Sequence, residues 1–201
     1  MTKRRGRKKP SLYALSRETL KPKHQEQFLN ELLGGSDRAA ALVAAADLQS
    51  YLVSLVMFKF VRLPEDERGA LFFGRNAALS DFADQITVAY GLGSIFDDEH
   101  SDLQSIRRIR NAFAHAVIPL TFDTEEIAEE CSKLHYRNTF GDDSQSFGKP
   151  KLRYLLTVLS LRKIFFDRAF ATVESAILAG DDDESRAEFM SELHALKKPN
   201  S

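Results

Sequence analysis

The sequence predicts an all-α fold: a single-domain helical bundle with a long central helix and a disordered basic N-terminal tail. Three observations predict it. Apolar residues recur at three- and four-residue spacing through most of the 201-residue chain. Glycines and prolines punctuate these runs where helices should stop. Convincing period-two alternation is absent, with Val117 to Phe122 the one stretch open to a strand.

The elements follow in order. Met1 to Ser11 carry too few apolar groups to offset ordering entropy and read as disordered, with Pro10 and Pro22 punctuating a linker. From Gln25, the residues Phe28, Leu29, Leu32 and Leu33 mark a short docking helix that Gly34-Gly35 stops. Ser36 or Asp37 can cap the next helix, Arg38 to Arg62. That segment is apolar nearly all round, so it is the expected central, buried helix, and its alanine-rich first half admits a close neighbour. Pro64 ends it, and Glu65 to Asn76 is expected to be a connection carrying the pair Phe72-Phe73.

Leu79, Phe82, Ala83, Ile86, Ala89 and Tyr90 form one stripe of a helix over about Ser80–Gly91, closed by Gly91 and Gly93. Next come a helix from about Asp98 to Val117 before Pro119, and one over Glu125 to Leu134 capped by Asp123-Thr124. A polar loop from Arg137 to Pro150 leads to a long helix, Leu152 to Leu178, and a terminal helix is expected over Ser185 to Lys197. The segments Ser80–Gly91, Asp98–Val117 and Leu152–Leu178 are the expected antiparallel partners of the central helix. The chain divides into a basic tail and linker (1–23), a helical domain (24–180) and an acidic turn with a C-terminal helix (181–201).

Composition narrows the function classes. Hydrophobic residues at 43% and charged residues at 28% exclude collagen-like and disordered chains. The lone Cys131 permits neither an internal disulfide nor a zinc module and reads as a small buried apolar residue. The acidic groups Asp97-Asp98, Asp142-Asp143 and Asp181 to Glu184 lack calcium-loop spacing, and Gly91-Leu92-Gly93 follows a helix, not a strand. No cofactor or metal is therefore expected. No signal-peptide pattern and no run of eighteen apolar residues is present, so a cytoplasmic protein without a membrane contact is expected.

A net charge of −1 hides an asymmetry: residues 1–23 hold nine Lys or Arg against Glu18 alone, which leaves the remainder at −9. A flexible tail of that kind is attracted to phosphate backbones whatever their sequence. Lys3, Arg4, Arg5, Arg7, Lys8 and Lys9 are the candidate nucleic-acid-binding residues. Arg4 to Pro10 resembles the AT-hook, although Lys8 stands where that motif has proline, so sequence-independent contact with DNA or RNA is the expectation and a purely solubilising tail the alternative.

The segment Leu103 to His115 carries the candidate chemistry. At 100° per residue, Leu103, Ile106, Arg110, Phe113 and Val117 share one face, which sets Arg110 inside an apolar stripe. Such an arginine needs an acid or a ligand, and Asp47 is the odd acid of the central helix, so a structural Arg110–Asp47 ion pair is expected. The alternative is that Arg110 extends its head to water at the edge of the packed face. Gln104, Arg108, Asn111 and His115 form a second, polar line. Arg110 and His115 lie about 140° apart on an ideal helix, so they converge only if the helix end distorts or two chains contribute. A half-buried histidine satisfied by a backbone carbonyl is the plain reading of His115.

The run Leu79 to Phe82, then Ala89 to Ile95, then Leu103 to His115 resembles the signature of the mannitol operon repressor family, most closely over Phe72 to Phe122. The resemblance implies an all-helical bacterial regulator that works through protein partners, as a homodimer or with another protein, and that has no DNA-reading motif. The basic tail is not part of that family's domain. The string Arg110 to His115 is also similar to the Arg-x4-His motif of HEPN superfamily proteins, which include metal-independent ribonucleases. That second resemblance implies catalytic roles for Arg110, Asn111 and His115, with the histidine as acid or base and the arginine stabilising phosphorane charge. A regulator is the expected function and a ribonuclease the alternative.

Overall fold

The computed structural model describes residues 20, 22–60, 63–73, 77–135 and 149–178. The basic segment Lys3 to Lys9, the polar stretch at 137–148 and the segment 181–201 lie outside the described residues, and so do the tail, loop and terminal helix expected there.

After a 3-10 turn at Pro22–His24 come helices α1 (Gln25–Gly34), α2 (Asp37–Met57), α3 (Glu65–Phe72), α4 (Phe82–Gly91), α5 (Asp97–His115), α6 (Glu125–Ser132) and α7 (Pro150–Leu178). Among the described residues there is no strand, and the stretch Val117 to Phe122 is coil. The all-α expectation holds.

Ser36 starts α2 by accepting the Ala39 N–H on its Oγ at 3.2 Å, which satisfies one orphan donor of the first turn. Ala40, Ala41, Ala44, Ala45, Leu48, Leu52, Leu55 and Val56 are all buried, so α2 is the core helix; α7 is its main partner, with α5, α4 and α1 around it. Its length and composition would suffice to cross a membrane, and it is the one described helix of which that is true. Here 50% of that apolar stretch is buried inside the protein. Leu52 has no exposed surface, and truncating it to alanine would cost roughly 2–5 kcal/mol.

Two expectations about this layer are corrected. The central helix ends at Met57 and not at Arg62: the backbone tightens into 3-10-type bonds from Lys59 N to Val56 O and from Phe60 N to Met57 O. The segment after Pro64 is not a plain connection but α3. Pro64 does not stop α2, which has ended seven residues earlier, but caps the next helix; Asp66 and Glu67 sit in its first turn where the dipole favours them, and Phe72 plugs into the core with no exposure.

α4 and α5 form a hairpin. Gly93 takes φ +64°, a conformation that favours glycine, and Ser94 N then reaches back to Ala89 O at 2.8 Å. The start of α5 is fixed by Glu99, whose Oε2 accepts the Phe96 N–H at 2.9 Å.

The direction of α7 is also corrected. Tyr154 Oη donates to Ala41 O at 2.9 Å, Arg162 meets Asp47, and the ring of Phe166 meets that of Tyr51 at 6.3 Å. Contacts that rise together along both helices mean that α7 runs parallel to α2. By contrast, α5 is antiparallel to both: Arg38, early in α2, donates to Ala116 at the end of α5, and Glu99, early in α5, meets Arg168 late in α7. The rings of Phe113, Phe122 and Tyr154 pack in a chain at tilted angles of 52° and 45°, 5.0 and 5.2 Å between centroids, and seal the core where the N-terminus of α2 meets the coil after α5.

Candidate functional site

The polar face of α5 is the candidate site, and most of its side chains are held by neighbours. Arg108 bonds to Glu130 of α6, Nε to Oε1 at 2.8 Å, and to Ser105 Oγ at 3.1 Å. Burial pushes the Glu130 carboxyl up, but the bonds from Lys133, Arg108 and Ser105 together outweigh it and hold the acid below its usual range. Arg108 is thus a tie between helices. Gln104 Oε1 accepts from Arg107 Nε at 3.1 Å, and His100 stacks against Tyr90 with centroids 4.4 Å apart.

Arg110 donates from Nη1 to Asn111 Oδ1 at 2.8 Å and is half-buried at the margin of the packed face. That placement agrees with an arginine reaching for water at the edge of an apolar stripe. Its expected pairing with Asp47 is not formed. Asp47 faces Arg162 of α7 instead, Oδ2 to Nε at 3.1 Å. Arg110 lies within electrostatic reach of Tyr154, whose hydroxyl bonds to Ala41, more than one turn of α2 before Asp47. The two residues therefore differ in height, and Asp47 points at another helix.

His115 is the last residue of α5, and it is exposed; it has no hydrogen bond to a described residue. The coil begins at Ala116, so Val117, expected on the apolar stripe, is instead 99% exposed. Arg110 is brought to Asn111 and not to His115, and five residues of helix separate them by about 7.5 Å of rise.

Three contacts of buried carboxylates were not visible from spacing. Glu99, almost fully buried, receives both terminal nitrogens of Arg168 at 2.9 and 3.0 Å, and Arg168 also donates to Ser94 O and lies over the Phe96 ring. Asp102 has no exposure and its Oδ1 accepts His135 N at 2.8 Å, which anchors the chain just after α6. Arg162 lies against Asp47 with its guanidinium over the rings of Tyr51 and Phe28. The signal for the first two was acids in the first two turns of α5, where cap chemistry and core burial coincide. Burial raises the Asp47 carboxyl above its usual range against the pull of Arg162. Cys131 is buried as expected; burial, helped by Glu130 and opposed by Arg153, pushes its thiol up to about 12.

No family model and no curated protein matches the chain. Among solved structures it aligns with the X-ray structure of the MtlR-HPr complex from Escherichia coli, at 20% identity over 73% of this chain and 99% of that chain, with a TM-score of 0.49.

Proposed function

We propose that this protein is a non-enzymatic regulator that works through a protein partner, in the manner of the mannitol operon repressor family its sequence resembles, with its basic tail adding sequence-independent contact with nucleic acid. The observation that carries the reading is the state of the Arg-x4-His string. The Arg110 guanidinium is tied to Asn111, and His115 stands apart at an exposed helix end. A phosphoryl-transfer site needs the arginine and the acid-base group on one phosphate at the same time. What α5 offers in place of such a site is surface.

The test is direct. Purified full-length protein is incubated with single-stranded and structured RNA in EDTA. No cleavage is expected, and His115→Ala is expected to match the wild type in thermal stability because the side chain is exposed. EDTA-resistant cleavage that leaves 2′,3′-cyclic phosphate ends and vanishes in a folded His115→Ala variant would establish the ribonuclease alternative, since a general acid or base contributes about 10² to 10⁴ in rate.

A further inference from the structure

On α2, Gln49 is held by Gln85 of α4 at 2.9 Å, and Arg38 by the carbonyl of Ala116 at the end of α5 at 2.8 Å. Both residues stand on one flank of α2, and Leu42 and Ala46 lie between them on the same flank, half-buried and exposed respectively. On α5, Leu103, Arg107, Arg110 and Ala114 likewise share a flank; Leu103 is fully buried, whereas the other three, nearer the C-terminus, are half-exposed. α4 meets α2 at Gln49 and α5 at Asp97 and His100, and beyond these contacts Leu42 and Ala46 of α2 and Arg107, Arg110 and Ala114 of α5 keep exposed surface on these flanks. Two packed helices leave a groove along the line where their exposed flanks meet, and the rise of 11 residues from Arg38 to Gln49 gives it a length of roughly 16 Å.

Three arginines line it, and every bond they make to a described residue goes to a neutral oxygen. Arg38 bonds to Ala116 O and Ile118 O, Arg107 to Gln104 Oε1, and Arg110 to Asn111 Oδ1. By contrast, Arg108, Arg162 and Arg168 all face carboxylates. Half-buried guanidinium groups with no carboxylate partner among the described residues are a preformed site for anions. Between them lie Leu42, Ala46 and Ala114, small or apolar, and the rim is Val117 and Ile118, 99% and 66% exposed. A bare phosphate backbone has no use for that floor and rim.

We infer that the groove docks an acidic amphipathic helix of a partner protein. Its apolar stripe would lie on Leu42, Ala46, Ala114 and the Val117–Ile118 rim, and its carboxylates on Arg38, Arg107 and Arg110. This rests on the reading that the chain acts through a protein partner, and it assigns that partner's surface. The alanines let the incoming backbone approach closely, and the arginines fix its register.

The experiment uses the full-length protein and a fluorescein-labelled 16-residue helical peptide with a leucine stripe flanked by glutamates. Controls are the same peptide with lysine for glutamate and a single-stranded RNA of equal charge, read by fluorescence anisotropy at low salt. The acidic peptide is expected to bind and the basic one not. Arg107→Glu with Arg110→Glu should weaken the acidic peptide by at least about tenfold. Ala46→Trp, which fills the groove without changing charge, should do the same and carries the test if the double variant does not fold by circular dichroism. Neutralising the six basic residues between Lys3 and Lys9 should change the affinity by less than about threefold.

Affinity unchanged by Ala46→Trp, or lost on neutralising the tail, overturns the proposal, as does RNA binding that disappears with the groove variants while the acidic peptide fails to bind. A reconstituted partner protein whose affinity Ala46→Trp leaves unchanged would overturn the groove while the regulatory reading stood.

Discussion

Arg168→Ala is the most informative single substitution for stability. In the folded protein the Glu99 side chain is 4% exposed and receives two charge-assisted bonds from Arg168, at 2.9 and 3.0 Å. Each such bond contributes about 1.5–3 kcal/mol. The Arg168 side chain is 29% exposed, and partial screening places the pair at the low end, so removing the guanidinium should cost about 3 kcal/mol. Most of that is the penalty of a buried carboxylate left with the Phe96 N–H alone. For a domain of this size the melting temperature should fall by roughly 9 °C.

Urea denaturation followed by circular dichroism at pH 7 measures it, with an unchanged m-value showing that the native state stays compact. Glu99→Gln keeps an acceptor for Phe96 and removes the charge, so the double variant Arg168→Ala with Glu99→Gln should lose clearly less than the sum of the two single losses. A loss under about 1 kcal/mol for Arg168→Ala, or strict additivity in the cycle, would refute the desolvation account.

Arg162→Ala should destabilise by roughly 2–4 kcal/mol and be largely rescued by Asp47→Ala, whereas Arg110→Ala should add independently to Asp47→Ala, as a double-mutant cycle will read. Because burial raises the Asp47 carboxyl above its ordinary value of 3.8, the folded state holds that proton more tightly than the unfolded chain does. The resulting stabilisation is complete below about that value and lost as pH rises through the raised one, so wild type should lose stability relative to Asp47→Asn as pH increases from the ordinary carboxylate range. Cys131, buried with its thiol pushed up to about 12, should resist iodoacetamide at pH 8 in the native protein and react within minutes in urea; rapid native labelling would contradict its placement. Deleting residues 1–11 should leave the melting temperature nearly unchanged and remove most salt-sensitive nucleic-acid binding, which a filter-binding titration at two salt concentrations reports.

Periodicity was enough to read most of the helices, because an apolar stripe and a Gly or Pro stop are local properties of the chain. α3 escaped because eight residues with a central Gly69 show barely two turns of pattern, and the cap is a proline, which reads as a helix stop and offers no side-chain cap. The partner of Asp47 escaped for a different reason. Spacing tells which residues share a face of one helix, but not which helix that face meets. Asp47 shares its face with Ala44 and Tyr51, which turn toward α7, and nothing within α2 distinguishes α7 from α5 as the neighbour. The parallel course of α7 depends on the route from His115 through α6, which no local pattern encodes. At the candidate site, the separation of Arg110 from His115 was legible from helix geometry, whereas the groove depends on how far α4 extends.

The parallel pairing of α2 with α7 has a consequence for how the protein is born. Tyr154 meets Ala41 across 113 residues of sequence, and Arg162 meets Tyr51 across 111. During synthesis at about 5–20 residues per second, the long apolar helix α2 waits several seconds before its principal cover emerges from the ribosome. In that interval the face of this 21-residue helix that α7 will cover stays open, on a rod long enough to enter a bilayer or to meet another nascent chain. Long-range closure of this kind also slows refolding. Chains that terminate before α7 should therefore be cleared by chaperones and proteases and not accumulate as partly active fragments.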